Sequence, residues 1–247
     1  MEDLYVSGGI YYQNFFLPLP HTGHPTVPPT PIPTSSPTPS PYSCNSYASM
    51  GVTTSGVYSI SPVPGAVYDV YCDLETDGGG WMLTYAYNHV AEAVVPVVPN
   101  TIPTDPATGY SHADVNFFTG YSESDVLDVR FFCTTTGHSR VMHFKTSNAM
   151  VAGISFDSDQ TGNLAQYWNS GFTALDGHTA VLPAGATGAY TDAGNGFWNF
   201  PFYMGDKHWA IAHGNYIWSC DDYNWGPYGN GHQYATQHLV YVRLSQS

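Results

Sequence analysis

Two stretches of this sequence gather oxygen ligands and aromatic faces at loop spacing. The first is Phe156-Asp157-Ser158-Asp159-Gln160-Thr161-Gly162-Asn163. Asp157 and Asp159 stand two apart, and Asn163 adds an amide oxygen just beyond Gly162. Calcium takes about six to eight hard oxygens from flexible ligands. Two carboxylates, an amide and backbone carbonyls on one tight loop offer that chemistry. The same residues also suit an Asx-turn with solvated carboxylates.

The second stretch runs from His208 to Tyr234. Asp221 and Asp222 sit there among His213, Trp218, Tyr223, Asn224, Trp225, Tyr228 and His232, and Gly226, Gly229 and Gly231 mark loop. Carboxylates that hold calcium, beside aromatic faces that stack on sugar rings, are what a carbohydrate site requires. The competing reading puts Trp209 and Trp218 in the core, with Asp221-Asp222 capping a turn. His208 and His213 have the wrong spacing for a helical zinc pair and lack the accompanying Glu. No nucleophile elbow, P-loop or dinucleotide fingerprint is present. A glycosidase needs two facing carboxyls, and nothing singles out Asp221 with Asp157 as such a pair. The expectation is a protein that binds and does not catalyse.

Composition narrows the partners. Of 247 residues, 43% are hydrophobic and 15% aromatic, enough for a sizeable core. Only 10% are charged, and the five basic residues are Arg130, Arg140, Lys145, Lys207 and Arg243. The formal net charge of −14 argues against nucleic acid, whose phosphates need Lys and Arg, and against anionic membrane surfaces. Divalent cations suit such a surface. No run reaches the roughly 18 apolar residues that span a bilayer. Glu2 and Asp3 stand where a signal peptide needs a basic start. Four cysteines allow three pairings.

Certain elements must position these residues. Val57–Ile60 and Val67–Cys72 read as two strands around a Pro62, Pro64, Gly65 turn. Asp77-Gly-Gly-Gly80 opens backbone paths that side chains forbid, and Met82–Tyr85 starts a third strand after Trp81. One helical turn is expected at Ala91–Val95 in a loop-rich stretch, 89–128. Val126–Phe132, Arg140–Phe144 and Leu239–Leu244 alternate as strands, with Arg243 facing away from its neighbours.

Upstream, residues 1–24 form an apolar arm carrying Leu4, Val6, Ile10, Tyr11, Tyr12, Phe15, Phe16 and Leu17. Residues 25–43 form a linker in which fifteen of the seventeen residues 25–41 are Pro, Ser or Thr. Such a segment favours polyproline II and suits O-linked glycans; no Asn-linked sequon occurs. An apolar strand on a stiff spacer needs a docking partner. Adding to a neighbour's sheet or groove would build a homo-oligomer or a filament. Folding back on its own head is the alternative.

Ser55-Gly56-Val57-Tyr58 and Tyr71-Cys72-Asp73-Leu74-Glu75-Thr76-Asp77-Gly78-Gly79-Gly80-Trp81 together resemble the opening of fibrinogen-related domains. Leu239–Leu244 is similar to that family's last strand, so the resemblance covers roughly residues 44–244. It implies an α+β, fibrinogen C-terminal-like domain over 44–247, a twisted antiparallel sheet with long loops and few helices. It implies the pairs Cys44–Cys72 and Cys133–Cys220, worth about 3.5 and 4.5 kcal/mol of loop closure, and an extracellular location. It also implies calcium at Asp157 and Asp159, although Leu164 stands where the family places its next Cys. The block around Asp221 and Asp222 looks like the ligand region of intelectin-type lectins in this superfamily. The expected function is an extracellular structural or adhesive subunit that self-assembles through residues 1–24 and binds calcium and glycans. The alternative is a secreted calcium-dependent lectin.

Overall fold

In the computed structural model the described residues are 40–93, 96, 98–157, 162–163, 171–180, 190–191, 202–204, 207–211, 218–221 and 234–247. The expected arm and nearly all of the linker lie outside them. Residues 40–43 pack on the head: Pro41 accepts a bond from the Ser61 amide, and Ser43 caps the helix that follows.

That helix is α1 (Cys44–Ser49). Then come β1 (Gly56–Val63) and β2 (Ala66–Asp73), an antiparallel hairpin closed by Pro64-Gly65, with Gly65 at φ 88°. β3 (Trp81–His89) follows the glycine corner, and β4 (Tyr110–His112) pairs with it. Next are β5 (Val126–Thr135), β6 (Met142–Thr146) and α2 (Ala149–Phe156). The remaining strands are β7 (Gly162–Asn163), β8 (Phe172–Ala174), β9 (Tyr190–Thr191), β10 (Phe202–Met204), β11 (Lys207–Ile211), β12 (Trp218–Cys220) and β13 (Thr236–Leu244). The main sheet runs β1-β2-β3-β13-β5-β6-β8, antiparallel throughout. Two small sheets, β10-β11-β12 and β7-β9, stand apart from it. The expected antiparallel, helix-poor α+β architecture is present.

The last strand lies in the middle of the sheet. β13 pairs with β3 on one side and β5 on the other, so both its edges are hydrogen-bonded. One face joins the main core, where Met82, Tyr85, Phe131, Phe144 and Val240 meet α2 and Trp209. The other carries Trp81, Leu83, Ala86, Leu239 and Tyr241, with Tyr71 and Phe132 against them. Arg243 points away from buried Val242 and Leu244, as the alternation predicts. The phase of β3 breaks once. Val240 faces Tyr85 and Tyr241 faces Leu83, which leaves Thr84 as an extra residue. This bulge sends Leu83 and Tyr85 to opposite faces, and the Thr84 hydroxyl donates to the Val240 carbonyl at 3.2 Å.

Strict alternation does not anticipate the bulge, and helical periodicity does not anticipate α2. That helix, Ala-Met-Val-Ala-Gly-Ile-Ser-Phe, is apolar on nearly every side because Val151 through Ser155 are all buried. It therefore lacks the polar stripe that marks a surface helix. Asn148 starts it by accepting from the Met150 and Val151 amides. At the expected Ala91–Val95 turn, the Ala93 amide bonds to the Val90 carbonyl; residues 94 and 95 lie outside the described set.

Two histidines are built into the core. His112 stacks on Tyr85 at 4.5 Å, and its Nδ1 lies 2.7 Å from the Tyr87 hydroxyl. His238 donates from Nε2 to the Ser219 carbonyl at 2.9 Å. Burial pushes them down to about 3 and about 4. A histidine depressed in the folded state charges more readily once unfolded. Its contribution is therefore complete above the unfolded value near 6.5 and is lost as pH falls below it. We predict a thermal midpoint that is flat from pH 8 to 7 and falls steadily toward pH 4, each histidine costing on the order of 3 kcal/mol by then. In calorimetry, His112→Phe should lower the midpoint at pH 7 and flatten the fall; an unchanged slope would contradict this assignment.

Candidate functional site

The turn between β2 and β3 is where most of the head's cations converge. Its backbone requires glycine. Gly79 sits at φ 76°, ψ −166°, and a Cβ there would lie 2.6 Å from the Leu74 carbonyl oxygen. Gly80, at φ 82°, would place a Cβ 2.8 Å from Asn45 Oδ1 on α1. The chain thus passes tightly beneath itself and then delivers Trp81, fully buried, whose indole N–H donates to the Thr76 carbonyl at 3.0 Å.

Around this corner stand three of the five basic side chains. Arg243 lies 4.0 Å over the Trp81 ring and donates to the Asp77 carbonyl at 2.5 Å and the Gly79 carbonyl at 3.2 Å. It also reaches Asp128 at 3.2 Å. Lys145 meets Asp77 at 2.6 Å. Arg130 lies 5.0 Å from the Trp81 ring and 3.9 Å over the Tyr241 ring, and pairs with Asp73 at 2.6 Å. Burial alone would raise the Asp73 carboxyl. The Arg130 charge, together with the Thr76 amide at 3.0 Å, outweighs it and holds Asp73 at about 2.

Beside this corner a cleft of about 310 Å³ opens on the outer sheet face. Its floor includes Arg130, Phe132, Leu239 and Tyr241, and the Pro106-Ala107 turn forms a wall. Gln237 and Asn88 donate to the Pro106 carbonyl at 2.8 and 3.1 Å and fix that wall to the sheet.

Both disulfides expected from the resemblance are formed. Cys44–Cys72 ties α1 to β2, and Cys133–Cys220 ties β5 to β12. Asp221 follows directly, fully buried and at φ 57°. Its Oδ2 accepts from Arg140 Nε, and its carbonyl accepts from Arg140 Nη2 at 2.6 Å. Its Oδ1 has no hydrogen-bond partner among the described residues. Asp157 caps the end of α2, its amide bonding to the Gly153 carbonyl. Asn163 belongs to β7 and Trp218 opens β12, but their side chains lie outside the described set. Asp159, His213, Asp222, Tyr223, Trp225, Tyr228 and His232 lie outside it entirely. Among the described residues, no group of three metal-ligating side chains occurs and no helix is long and apolar enough to cross a membrane.

Residues 40–90, which contain α1, the β1–β2 hairpin and the glycine corner, match the family of fibrinogen beta and gamma chains, C-terminal globular domain. This segment is fibrinogen-related. The fibrinogen-related segment is also 45% identical over 40 residues to Veficolin-1 of Varanus komodoensis and 41% identical over 44 residues to human Fibroleukin. These matches cover 16% and 17% of this chain, and they span only 18% and 10% of the relatives' own lengths. A solved structure, the fibrinogen-like globe domain of human ANGPTL6, is 13% identical with a TM-score of 0.41, over 87% of this chain and 100% of that one.

Sequence reasoning about the head missed Asp73, Arg130 and the outer cleft. The available signal was scarcity. In a chain with five cations, one placed on a strand that reads as buried must be paired. We predict that Asp73→Asn costs about 3 kcal/mol, because it leaves the Arg130 charge buried without its counter-ion. Lys145→Met should cost under about 1 kcal/mol, since that pair is about a quarter exposed. Urea unfolding midpoints at constant slope check the ordering; equal losses would refute it.

Proposed function

We propose that the chain is a non-catalytic extracellular recognition and adhesion subunit, a disulfide-braced head carried on a proline-rich spacer. The observation that carries this reading is the fibrinogen-related match at 40–90, over a corner whose disulfide is closed. Two formed disulfides with no free cysteine among the described residues suit an oxidising compartment. The short matches to Veficolin-1 and Fibroleukin support the reading.

In this proposal residues 1–24 dock on a neighbouring head and build a homo-oligomer or fibre. The spacer holds the heads apart, and its Ser and Thr residues carry O-linked glycans. Calcium binds at Asp157, Asp159 and Asn163, and at Asp221 with Asp222. Buried Asp221 supports the second site. Arg140 satisfies one carboxylate oxygen, and a hard cation would satisfy the other, which has no donor among the described residues. In this reading calcium there takes sugar hydroxyls directly, and the sequence block's His213, Trp218, Tyr223, Trp225, Tyr228 and His232 supply the glycan contacts.

Deleting residues 1–24 should abolish assembled particles in electron microscopy while sparing sugar binding on a glycan array. Chelation should abolish the sugar binding. If the truncated protein forms the same particles, the arm has no role in assembly. Calcium titration calorimetry of the parent, Asp157→Ala and Asp222→Ala separates the two ion sites; no heat in the parent would exclude both.

A further inference from the structure

His89, the last residue of β3, is 2% exposed. Its Nδ1 lies 2.9 Å from the Tyr234 carbonyl oxygen, and its Nε2 lies 3.1 Å from the Ala93 carbonyl oxygen. A carbonyl oxygen only accepts, and a neutral imidazole carries a proton on one nitrogen alone. In either neutral tautomer, one of these contacts sets a nitrogen lone pair against an oxygen lone pair at hydrogen-bond distance. Only the imidazolium, with a proton on each nitrogen, satisfies both carbonyls.

The two acceptors are held unequally. Beside Tyr234, the Ala235 amide donates to Thr136 Oγ1 at 3.1 Å, and the Thr136 amide donates to the Ala235 carbonyl at 2.9 Å. The Tyr234 ring packs on Gly137, where a Cβ would lie 2.6 Å from it. Ala93 instead belongs to the turn 90–93, which its amide closes on the Val90 carbonyl at 3.0 Å. Val90 is 65% exposed, and Glu92 sits at φ 60°, a left-handed conformation that strains an L residue. Water can therefore replace the ring at Ala93 more readily than at Tyr234.

The titratable groups on the elements around His89 are Glu92 on the turn, Tyr234 on the segment entering β13, His238 on β13, Tyr87 on β3 and His138 beyond the end of β5. Burial first, and the His89 charge with it, hold His238 down at about 4. Burial pushes the Tyr87 hydroxyl up. Neither group changes charge between pH 5 and 9.

We propose that His89 is a pH-sensitive latch: with both ring nitrogens protonated it ties the turn 90–93 to the segment entering β13, and on losing one proton it keeps Tyr234 and releases Ala93. His89 and Val90 line a groove of about 370 Å³ together with Thr134 and Thr136, so one wall of that groove follows the charge on the ring. The latch works whether or not the loop around Asp221 holds calcium.

Burial opposes the charge that the two carbonyls favour, so the test reads the ring itself and not the global midpoint. Long-range proton–nitrogen correlation NMR of the full chain, followed from pH 5 to 9, reports which ring nitrogens carry protons. At the acid end both nitrogens of His89 should be protonated; as pH rises Nε2 should lose its proton and Nδ1 keep it. Over the same titration the Ala93 amide, measured by water-transfer NMR and corrected for the intrinsic rate, should exchange roughly tenfold faster, the weight of one charge-assisted hydrogen bond. The Ala235 amide should not follow. In His89→Gln, whose side chain does not titrate, the Ala93 step should vanish; if that variant does not fold, the parent titration decides alone. The proposal is overturned if one ring nitrogen alone is protonated at every pH, if both stay protonated to pH 9, if Nδ1 loses its proton first, or if Ala93 exchange does not step with the ring.

Discussion

Trp81 and the charges packed around it hold the head together. Arg243 and Arg130 lie against its ring, and its indole N–H is bonded back across the glycine corner to Thr76. Cations on aromatic faces gain most where water is excluded, and Trp81 is fully buried. Each cation is also anchored to the corner or its neighbour strand, Arg130 to Asp73 and Arg243 to Asp77, Gly79 and Asp128. Lys145 adds β6 through Asp77. The corner thereby links β2, β3, β5, β6 and β13. In a chain of net charge −14 with five basic residues, committing three of them to one turn is a strong allocation.

Topology makes this corner global. β13 comes last in the chain yet lies between β3 and β5, so the sheet is incomplete until the C-terminus arrives. Asn45 of α1 donates to Leu244, and Ser43 to Ser245, which joins the start of the head to its end. The Cys44–Cys72 bridge fixes α1 to β2 just before the corner, and Cys133–Cys220 fixes β12 against the far end of β5. Contacts of such sequence separation require long loops to close early, which slows folding, and the disulfides reduce that loop entropy.

Much of this was legible before the structure. The β1–β2 hairpin, β3, β5, β6 and β13 follow from β-branched and aromatic residues alternating between turn signals, and Arg243 lies on the face the alternation gives it. The disulfide pairing was not readable from spacing; it followed from the resemblance of Tyr71–Trp81 to a known family opening. The bulge at Thr84 was hidden because Leu83 and Tyr85 are both apolar, so a phase slip leaves no mark on the pattern. α2 was hidden because burial on nearly all sides removes its polar stripe. Arg130 was hidden for a different reason. The strand's apolar pattern signals that this cation must be paired, but only the assembled sheet shows that Asp73, Trp81 and Tyr241 stand around it. Of the expected site residues, Asp221 is placed at the disulfide with an Arg140 partner, and most of the others lie in segments the structure does not describe.

The central claim is that the Trp81 corner opens only when the whole head unfolds. Native-state hydrogen exchange of the Trp81 indole N–H, which donates to Thr76 across the glycine corner, addresses it directly. The account predicts that this proton exchanges among the slowest in the head, with an opening free energy equal to that of global unfolding measured in urea. Exchange through a local opening, at a small fraction of the global free energy and insensitive to urea, would contradict it.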